Sequence, residues 1–304
     1  MSKSSTATVN QALTSFASGV AQDTKSALAD FIAPRVPVGV TDGHYKKFDE
    51  KNTFRQYETL RAIGGAATRV HMDASDPTFS CAAHALEAAI DDIERQKAGE
   101  FQQALEEAKI REVIVGASLS HEIDVLAKAQ EVAATSKTWG SSADPIEDID
   151  QAILDIVTAT GMMPNRMVMG IGTWKLLKNH KNVVGRQRST SDKAVDLGGF
   201  ASMLLNPNIE IKLGILSKDT AKEGKTASKT NIVGSDVLIF VASQNPTTFD
   251  PSFMKTFSIG DISTGNVTEY RDETCSSDIY KVAWSEQVKV VSSICAKRLS
   301  VSAS

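Results

Sequence analysis

This chain has 304 residues, of which 41% are apolar, so it can bury one large core or two modest ones. Its net charge of −4 excludes a dense excess of Lys and Arg, so we do not expect nucleic-acid binding to be its main function. The cysteines Cys81, Cys275 and Cys295 are odd in number and lack framework spacing, which favours reduced thiols over secreted disulfides. No apolar run is long enough to span a bilayer, and we expect neither an export signal nor a membrane anchor.

The beginning of the chain predicts two extensions rather than a core. Residues 1–35 have a loose helical period rich in Ser, Thr and Ala, and this pattern predicts an arm that contains no core element. Residues 38–75 alternate aromatic and charged side chains, lack helix caps and contain Gly64 next to Gly65, which predicts a long two-stranded excursion. Such a ribbon has too little apolar surface to be stable alone, so we expect it to lie against another subunit.

Two helical patterns follow. The first covers residues 79–97 and places four apolar residues on one face: Leu86, Ala89, Ile90 and Ile93. The second covers residues 101–130 and has a longer apolar stripe: Leu105, Ala108, Val115, Leu119, Ile123 and Leu126. At about 1.5 Å per residue the second helix is on the order of 40 Å long, well above the usual globular length, and we expect it to act as a spine.

Residues 144–180 predict a helix, a tight turn, a strand and a second helix, with no catalytic polar group between them. Asp144 caps the first helix, Pro145 occupies its first turn and Gly161 ends it. The turn leads into a short apolar strand, after which Thr173 is expected to cap the second helix. The absence of catalytic groups indicates assembly rather than chemistry.

The remainder predicts one short helix over residues 195–205 and then mainly strands. The strand candidates are residues 209–215, 237–241, 267–272, 279–284 and 287–294. Residues 217–231 are polar and Lys-rich, which indicates a surface loop without a fold of its own. The even positions carry Val282, Trp284, Val288, Val290 and Ile294, as a half-buried strand pair requires, and Glu286 is an exception among them.

Two glycine motifs resemble nucleotide-binding loops only in part. In Gly224-Lys225-Thr226, Asp219 stands where the preceding glycine of a phosphate-binding loop belongs. Gly170 and Gly172 supply the first half of a dinucleotide fingerprint, but Lys175 replaces its third glycine. Glycine is common in strand-to-helix turns for purely steric reasons, so we expect no cofactor.

Metal-like spacings are also incomplete. His121-Glu122 opens a zinc-protease pattern, yet Val125 stands where the second His must be, and we expect an exposed pair on the spine helix. Cys81 and His84 have ligand-like spacing but no second pair nearby in the sequence. We therefore expect no metal site and no catalytic residue.

A basic cluster opposes the acidic average of the chain. Its members have no carboxylate between them in the sequence and are Lys175, Lys178, Lys181, Arg186 and Arg188. His180 adds partial charge to the cluster. We interpret it as a solvated face or as a seat for a neighbouring subunit's Asp and Glu, in preference to direct DNA contact.

The order of arm, excursion, spine helix, helix–strand–helix unit and returning strands resembles the major capsid protein of tailed bacteriophages, whose fold is named after phage Hong Kong 97. The matching pieces are Asp144-Pro145 with its helix, Gly161-Met-Met-Pro164-Asn165, Met167-Val168-Met169, Trp174-Lys-Leu-Leu177, His180 and Tyr270-Arg271-Asp272-Glu273. The resemblance covers nearly the whole chain.

The resemblance implies an α+β Hong Kong 97-like fold with four parts. These are an N-terminal arm (1–35), an extended E-loop (36–75), a peripheral domain with the spine helix (76–136, completed by 255–304) and an axial domain (137–254). The charged E-loop residues expected to contact a neighbour are Lys46, Lys47, Asp49, Glu50, Arg55, Arg61 and Arg69.

The implied function is structural, not enzymatic. Copies would form pentamers and hexamers that close into an icosahedral shell around packaged double-stranded DNA, assembled in the host cytoplasm and retained in the virion. The family also implies a scaffolding protein, a portal and a decoration protein as partners. Two alternatives remain: an encapsulin-like compartment of the same fold that holds an enzyme cargo, and a cytoplasmic α/β enzyme whose site has no recognisable motif.

Overall fold

The chain folds into two mixed β-sheets that are both packed against helices. The computed structural model describes residues 8–9, 13–14, 16–17, 28–47, 59–61, 63–65, 76–190, 194–221, 225–226, 228–260 and 267–303. Its helices are α1 (Ala29–Ile32), α2 (Asp92–Ala98), α3 (Gln102–Ala129), α4 (Pro145–Thr160), α5 (Ile171–Asn179), α6 (Lys181–Thr190) and α7 (Leu197–Ala201), with 3₁₀ turns at Gly99–Phe101 and Ser293–Cys295. None of these helices is long and apolar enough to cross a membrane.

The strands fall into two larger sheets and two short pairs. Their bounds are β1 (Thr8–Val9), β2 (Arg35–Pro37), β3 (Asp42–His44), β4 (Thr78–Ser80), β5 (Ala82–Asp91), β6 (Ala134–Thr138), β7 (Arg166–Gly170), β8 (Glu210–Gly214), β9 (Ser217–Asp219), β10 (Lys229–Asn231), β11 (Asp236–Phe240), β12 (Met254–Ile259), β13 (Val267–Asp272), β14 (Ser277–Val290) and β15 (Ala296–Ser302). The first sheet has the order β1-β13-β14-β12-β2, with β5 on the other edge of β14. The second has the order β6-β15-β11-β7-β8, and β3 pairs with β4 as β9 does with β10. The architecture is therefore α+β, as predicted.

Helix α3 confirms the predicted spine. Its 28 residues contain no proline and are rich in strong helix formers, and at about 1.5 Å per residue it is on the order of 40 Å long. The buried face differs from the predicted stripe and consists of Ile110, Val113, Ile114, Ala117, His121, Glu122, Val125, Leu126 and Ala129. Val115, which belongs to the predicted stripe, is 44% exposed. The prediction followed the larger apolar side chains, whereas the packed face includes a histidine and a glutamate.

The predicted helix over residues 79–97 is wrong before residue 92. Strand β5 pairs antiparallel with β14 over ten residues, and this ladder overrides the helix propensity of its alanines. Leu86 and Ile90 are four residues apart, which places them on one side of a strand as well as of a helix, so their spacing does not distinguish the two. Asp91 then caps α2, because its carboxylate accepts a hydrogen bond from the Ile93 amide at 2.7 Å.

The two strand candidates at 279–284 and 287–294 are one strand as far as Val290. Ser285 and Glu286, where the prediction left a gap, pair with β5 on one edge and with β12 on the other. Ile294 lies in a 3₁₀ turn instead. The strand β15 that follows was not predicted.

Strand β15 also corrects the predicted domain boundary. It pairs with β11 and with β6, so residues 296–302 belong to the second sheet rather than completing the first. The domain boundary predicted from the sequence therefore underestimates how often the chain passes from one sheet to the other. The large apolar core of the second sheet is built jointly by α4, β7, β11 and β15.

The predicted helix–turn–strand–helix unit is confirmed except for its last cap. Asp144 accepts from the Glu147 amide at 3.5 Å, and Gly161 ends α4 with φ 67°. Helix α5 begins at Ile171, however, so Thr173 lies inside it with a buried side chain and does not cap it. Helix α7 and the strands β8, β11 and β13 confirm the other predictions for the C-terminal half.

Two segments predicted to lack a fold have one in part. Residues 28–33 carry α1 and are buried in the large core, so the prediction that the first 35 residues contain no core element is wrong for them. The Lys-rich segment 217–231 begins and ends in β9 and β10, which form a short antiparallel pair. Apolar contacts with the large core order residues 28–33, whereas β9 and β10 are ordered by their own antiparallel pairing.

Candidate assembly surfaces

The base of the excursion is a two-stranded stem that belongs to the subunit. Strands β3 and β4 pair antiparallel, with Gly43 opposite Phe79. The Phe79 ring stacks on Phe257 of β12 with ring centroids 4.5 Å apart, and Tyr45 packs on the same ring at 5.3 Å. A Cβ on Gly43 would lie 2.5 Å from the Phe79 ring, so only glycine allows this close packing. The stem is two-stranded as predicted, but its second strand, Thr78–Ser80, lies beyond the predicted end of the excursion at residue 75.

The described tip of the excursion exposes its apolar side chains, whereas the stem buries them. Leu60 is 89% exposed and Ile63 is 107% exposed, and Arg61 between them is also exposed. Gly64 follows with φ 80°, a conformation that favours glycine. These side chains make the tip an apolar surface with one positive charge, open to contacts outside the subunit.

Only part of the predicted charged E-loop set lies within the described residues. Lys46 forms an ion pair with Asp76 at 2.5 Å, and its amide donates to the Thr248 carbonyl at 3.1 Å. It therefore helps to hold the stem of its own subunit. Lys47 is half-buried beside it, and Arg61 lies at the tip. The remaining predicted residues lie outside the described residues and are Asp49, Glu50, Arg55 and Arg69.

A buried ionic network fixes residues 28–37, the segment that lies between the N-terminal arm and the excursion. His121 of α3 contacts the Glu286 carboxylate of β14 at 3.0 Å, and Arg35 of β2 contacts the other oxygen of Glu286 at 3.3 Å. Arg35 also donates to Asp30 at 2.9 Å. Glu122 accepts from the Ala29 amide at 2.6 Å, at the start of α1. The network joins α1 and β2 to the spine helix and the central strand of the first sheet, and we call it the root network.

Burial and pairing act differently on the two glutamates of the root network. Burial alone would raise the pKa of Glu286, but the hydrogen bond from His121 and the charges of His121 and Arg35 outweigh it, so the pKa is lowered. Burial raises the pKa of Glu122, and the Ala29 amide offsets this only in part. Glu286 is therefore stabilised as an anion, whereas the charge of Glu122 is penalised.

The expectation of an exposed His121-Glu122 pair is wrong. The two side chains are 4% and 1% exposed, because the face of α3 that carries them packs on β14 and α1. His121 lies four residues after the buried Ala117 and four before the buried Val125. That helical spacing was a signal in the sequence that could have placed it on the packed face.

The predicted basic cluster is only partly free. Lys175, Lys178 and Lys181 are exposed and have no ion pair within the described part of the chain. Arg186 instead contacts Asp144 of its own subunit at 2.6 Å. The side chain of Arg188 lies outside what the structure describes. The structure thus brings three lysines together on α5 and the start of α6.

His180 does not add to the exposed positive charge of this cluster. It is buried, its Nε2 lies 2.9 Å from the Gly140 carbonyl and its Nδ1 accepts from the Asn182 amide at 3.3 Å. These contacts correspond to the neutral tautomer with the proton on Nε2. The residue holds α6 against the loop before α4.

The comparisons with known proteins agree with this architecture. Residues 116–262 match the family described as Phage major capsid protein E. A curated relative, the major capsid protein of Burkholderia phage BcepMu, is 26% identical over 238 residues, which are 74% of this chain and 77% of the relative. The chain is similar to phage major capsid proteins.

Solved structures show which fold the chain has. A phage-related protein from Bordetella bronchiseptica RB50 superimposes with a TM-score of 0.74 at 22% identity and covers 97% of both chains. The mature capsid of bacteriophage PhiM1 gives a TM-score of 0.55 at 11% identity, covering 91% of this chain and 87% of that one. The fold is of the Hong Kong 97 type, as the sequence predicts.

The incomplete sequence motifs have structural explanations in this fold. A Cβ on Gly170 would lie 1.9 Å from the Gly234 carbonyl oxygen, which is a steric reason for the glycine. The Cys81 thiol donates to the Phe257 carbonyl at 3.5 Å, and His84 stacks on Trp284 with centroids 5.5 Å apart. Among the described residues, no group of three or more His, Cys, Asp or Glu could hold a metal ion.

Proposed function

We propose that copies of this capsid protein form pentamers and hexamers, which close into an icosahedral shell around packaged double-stranded DNA. The observation that carries the proposal is the exposed tip of the excursion, where Leu60 is 89% exposed and Ile63 is 107% exposed. Apolar side chains exposed together mark an interaction surface, and many weak contacts of this kind become strong when subunits are linked repeatedly.

The proposal keeps the domains predicted from the sequence, with changed bounds for the arm and for the axial domain. Residues up to 27 are an arm, residues 36–75 are the E-loop, and the first sheet with α3 is a peripheral domain that meets its counterparts between capsomers. The second sheet with α4 to α7 is an axial domain near the capsomer centre, and it includes β15. Assembly takes place in the host cytoplasm, and a scaffolding protein, a portal and a decoration protein are partners implied by the family.

The three free lysines support a contact outside the subunit. Lys175, Lys178 and Lys181 concentrate positive charge on a chain that is acidic overall. A lysine that has no carboxylate in its own subunit can pair with an Asp or Glu of a neighbour. We infer that this face seats a neighbouring axial domain, and a DNA-facing role is the second candidate.

Deletion of the E-loop tests the proposal. Replacing residues 46–67 with a short Gly/Ser linker removes the tip and leaves the core of both sheets intact. We expect a soluble protein with unchanged helix content and cooperative unfolding that forms no closed shells in sedimentation and electron microscopy. The unaltered protein, expressed in parallel, is the control and should form closed shells.

Each other outcome has a definite meaning. Normal shells from the deleted protein contradict an intersubunit E-loop, and failure to fold places the whole excursion in the subunit core. Closed shells that enclose an enzyme cargo favour an encapsulin-like compartment. A full-length protein that stays monomeric under all conditions contradicts shell formation and favours the enzyme alternative.

A further inference from the structure

Lys255 of β12 is a fully buried lysine that lies beneath the loop of residues 247–250. Its ammonium group donates to the Thr247 carbonyl at 2.5 Å, to the Asp250 carbonyl at 2.7 Å and to the Asp250 carboxylate at 2.9 Å. An ammonium group has three hydrogens, so each of its donors has an acceptor. Two carbonyls and a carboxylate therefore enclose one positive charge, and we call this arrangement the lysine cage.

The lysine cage orders the loop above it. The Asp250 carboxylate also accepts from the Thr247 amide at 2.5 Å and from the Thr247 hydroxyl at 2.9 Å, and that hydroxyl accepts from the Phe249 amide at 3.2 Å. Burial lowers the pKa of Lys255, whereas the hydrogen bond and the charge of Asp250 oppose this shift. A buried ammonium group is costly without such partners, so the lysine and the loop stabilise each other.

The caged loop is joined to the stem of the excursion by a backbone hydrogen bond. Thr248, which lies between the two caged residues, accepts from the Lys46 amide at 3.1 Å. Lys46 comes two residues after the end of β3, where the chain leaves the stem towards the rest of the excursion. Because the residues before and after Thr248 are held by Lys255, the cage sets the position of the carbonyl that Lys46 meets.

One face of β12 therefore contacts the stem in two ways. Lys255 and Phe257 are two residues apart in this strand, which places their side chains on the same face of the sheet. Phe257 contacts the rings of Tyr45 and Phe79 directly, and Lys255 acts through the loop. Ring packing tolerates a range of angles, whereas a hydrogen bond is directional, so the contact through the loop constrains the orientation of the chain more closely.

We propose that Lys255 is a positioning residue for assembly, which fixes the Thr248 carbonyl through the lysine cage and so sets the direction in which the excursion leaves the stem. An excursion that serves a neighbouring subunit has to leave its own subunit in a defined direction. Loss of the cage should therefore impair the contacts between subunits more than the fold of the subunit. The inference rests on the proposed self-assembly and adds a residue outside the excursion that controls it.

Replacing the ammonium group by an apolar side chain of similar length tests the proposal. In Lys255→Met subunits the amide of Lys46 should exchange about tenfold faster, the factor expected for the loss of one hydrogen bond, and the yield of closed shells should fall. The matched control is Lys289→Met, because Lys289 lies directly opposite Lys255 on β14 and has no ion pair within the part of the chain that the structure describes. Both readouts should keep their wild-type values in the control.

Chemical rescue separates the positive charge from the packing. Lys255→Ala removes the part of the side chain beyond Cβ, which has the size of the n-propylammonium ion. Addition of n-propylammonium chloride should restore slow exchange at Lys46 and the yield of shells, whereas sodium chloride at the same ionic strength should not. A variant that folds only in the amine salt gives the same result. Equal recovery in both salts, or recovery in neither, would overturn the role of the ammonium group.

The outcomes separate the hold on the stem from assembly itself. Wild-type exchange at Lys46 in Lys255→Met overturns the hold, and faster exchange together with a normal yield of shells overturns the positioning role but leaves the proposed function standing. Faster exchange throughout β14 would make Lys255 a general stabiliser of the core and would also overturn the proposal. If the wild-type protein forms no shells, the proposed function fails, whereas exchange at Lys46 in free subunits still decides whether the cage holds the stem.

Discussion

The stem and the tip of the excursion belong to one segment but are held by different partners. At the stem, Tyr45 and Phe79 pack on Phe257, and the root network fixes the adjoining residues 28–37 to the spine helix. At the tip, Leu60 and Ile63 have no cover from their own subunit. The difference shows how one excursion can be firmly rooted in a folded subunit and still present apolar surface for another. Changes in the stem should therefore alter stability, and changes in the tip should alter assembly.

The largest effect on subunit stability is expected from Phe257→Ala. The substitution removes a fully buried ring that contacts both stem residues, and Phe-to-Ala changes in cores cost about 3–5 kcal/mol. Urea unfolding of the unassembled protein, followed by circular dichroism, should report a loss in this range. A loss below about 1 kcal/mol would mean that the stem is not clamped by this ring.

Glu286→Ala should follow closely, with a loss of about 3 kcal/mol. The change removes the carboxylate that His121 and Arg35 share in a largely buried position, although Arg35 keeps its contact with Asp30. Breaking a buried pair in this way is costlier than removing the whole network. The control is Glu131→Ala, which breaks the exposed pair with Lys128 and should cost less than about 1 kcal/mol. Equal losses in the two variants would show that the root network contributes no more than a surface ion pair.

A smaller, pH-dependent effect should distinguish the two glutamates of the root network. The folded-state pKa of Glu286 lies below its ordinary value of 4.5, so its stabilising contribution is present above that value and is lost as the pH falls through the folded pKa. The folded-state pKa of Glu122 lies above 4.5, so its contribution is present below that value and is lost as the pH rises through the folded pKa.

The corresponding amide variants test these signs. Glu286→Gln should lower the free energy of unfolding at pH 7, and the difference from wild type should shrink as the pH falls below 4.5. Glu122→Gln, which still accepts from the Ala29 amide, should be neutral or stabilising at pH 7. Urea titrations at several pH values would contradict the assignment if both variants changed stability in the same direction at pH 7.

The elements predicted well are those whose signals are local. Helix α4 has its cap, its proline and its terminal glycine within the segment, and α3 has a long run of helix formers. The root network could not be predicted in the same way. Its contacts join Ala29 to Glu122 and His121 to Glu286 across 93 and 165 residues, so no local pattern shows that these charges are buried together.

Local sequence patterns also could not predict strand β5 or the pairing within the assembly surfaces. The alanines of β5 favour a helix locally, and only the distant strand β14 makes them extended. In the basic cluster, the sequence indicated charge but not that Arg186 is paired with Asp144. Glu286 was visible in the sequence as an exception to an apolar alternation, and such an exception on a buried strand face indicates a buried polar partner.

The central claim is that the stem is held by contacts within the subunit and the tip by contacts between subunits. Hydrogen exchange, measured on free subunits and on assembled shells, tests this claim most directly. Amides around Leu60 and Ile63 should exchange rapidly in the free subunit and become protected in shells, whereas amides of β3 and β4 should be protected equally in both. Equal exchange of the tip in the two states, or protection of the stem only in shells, would contradict the account.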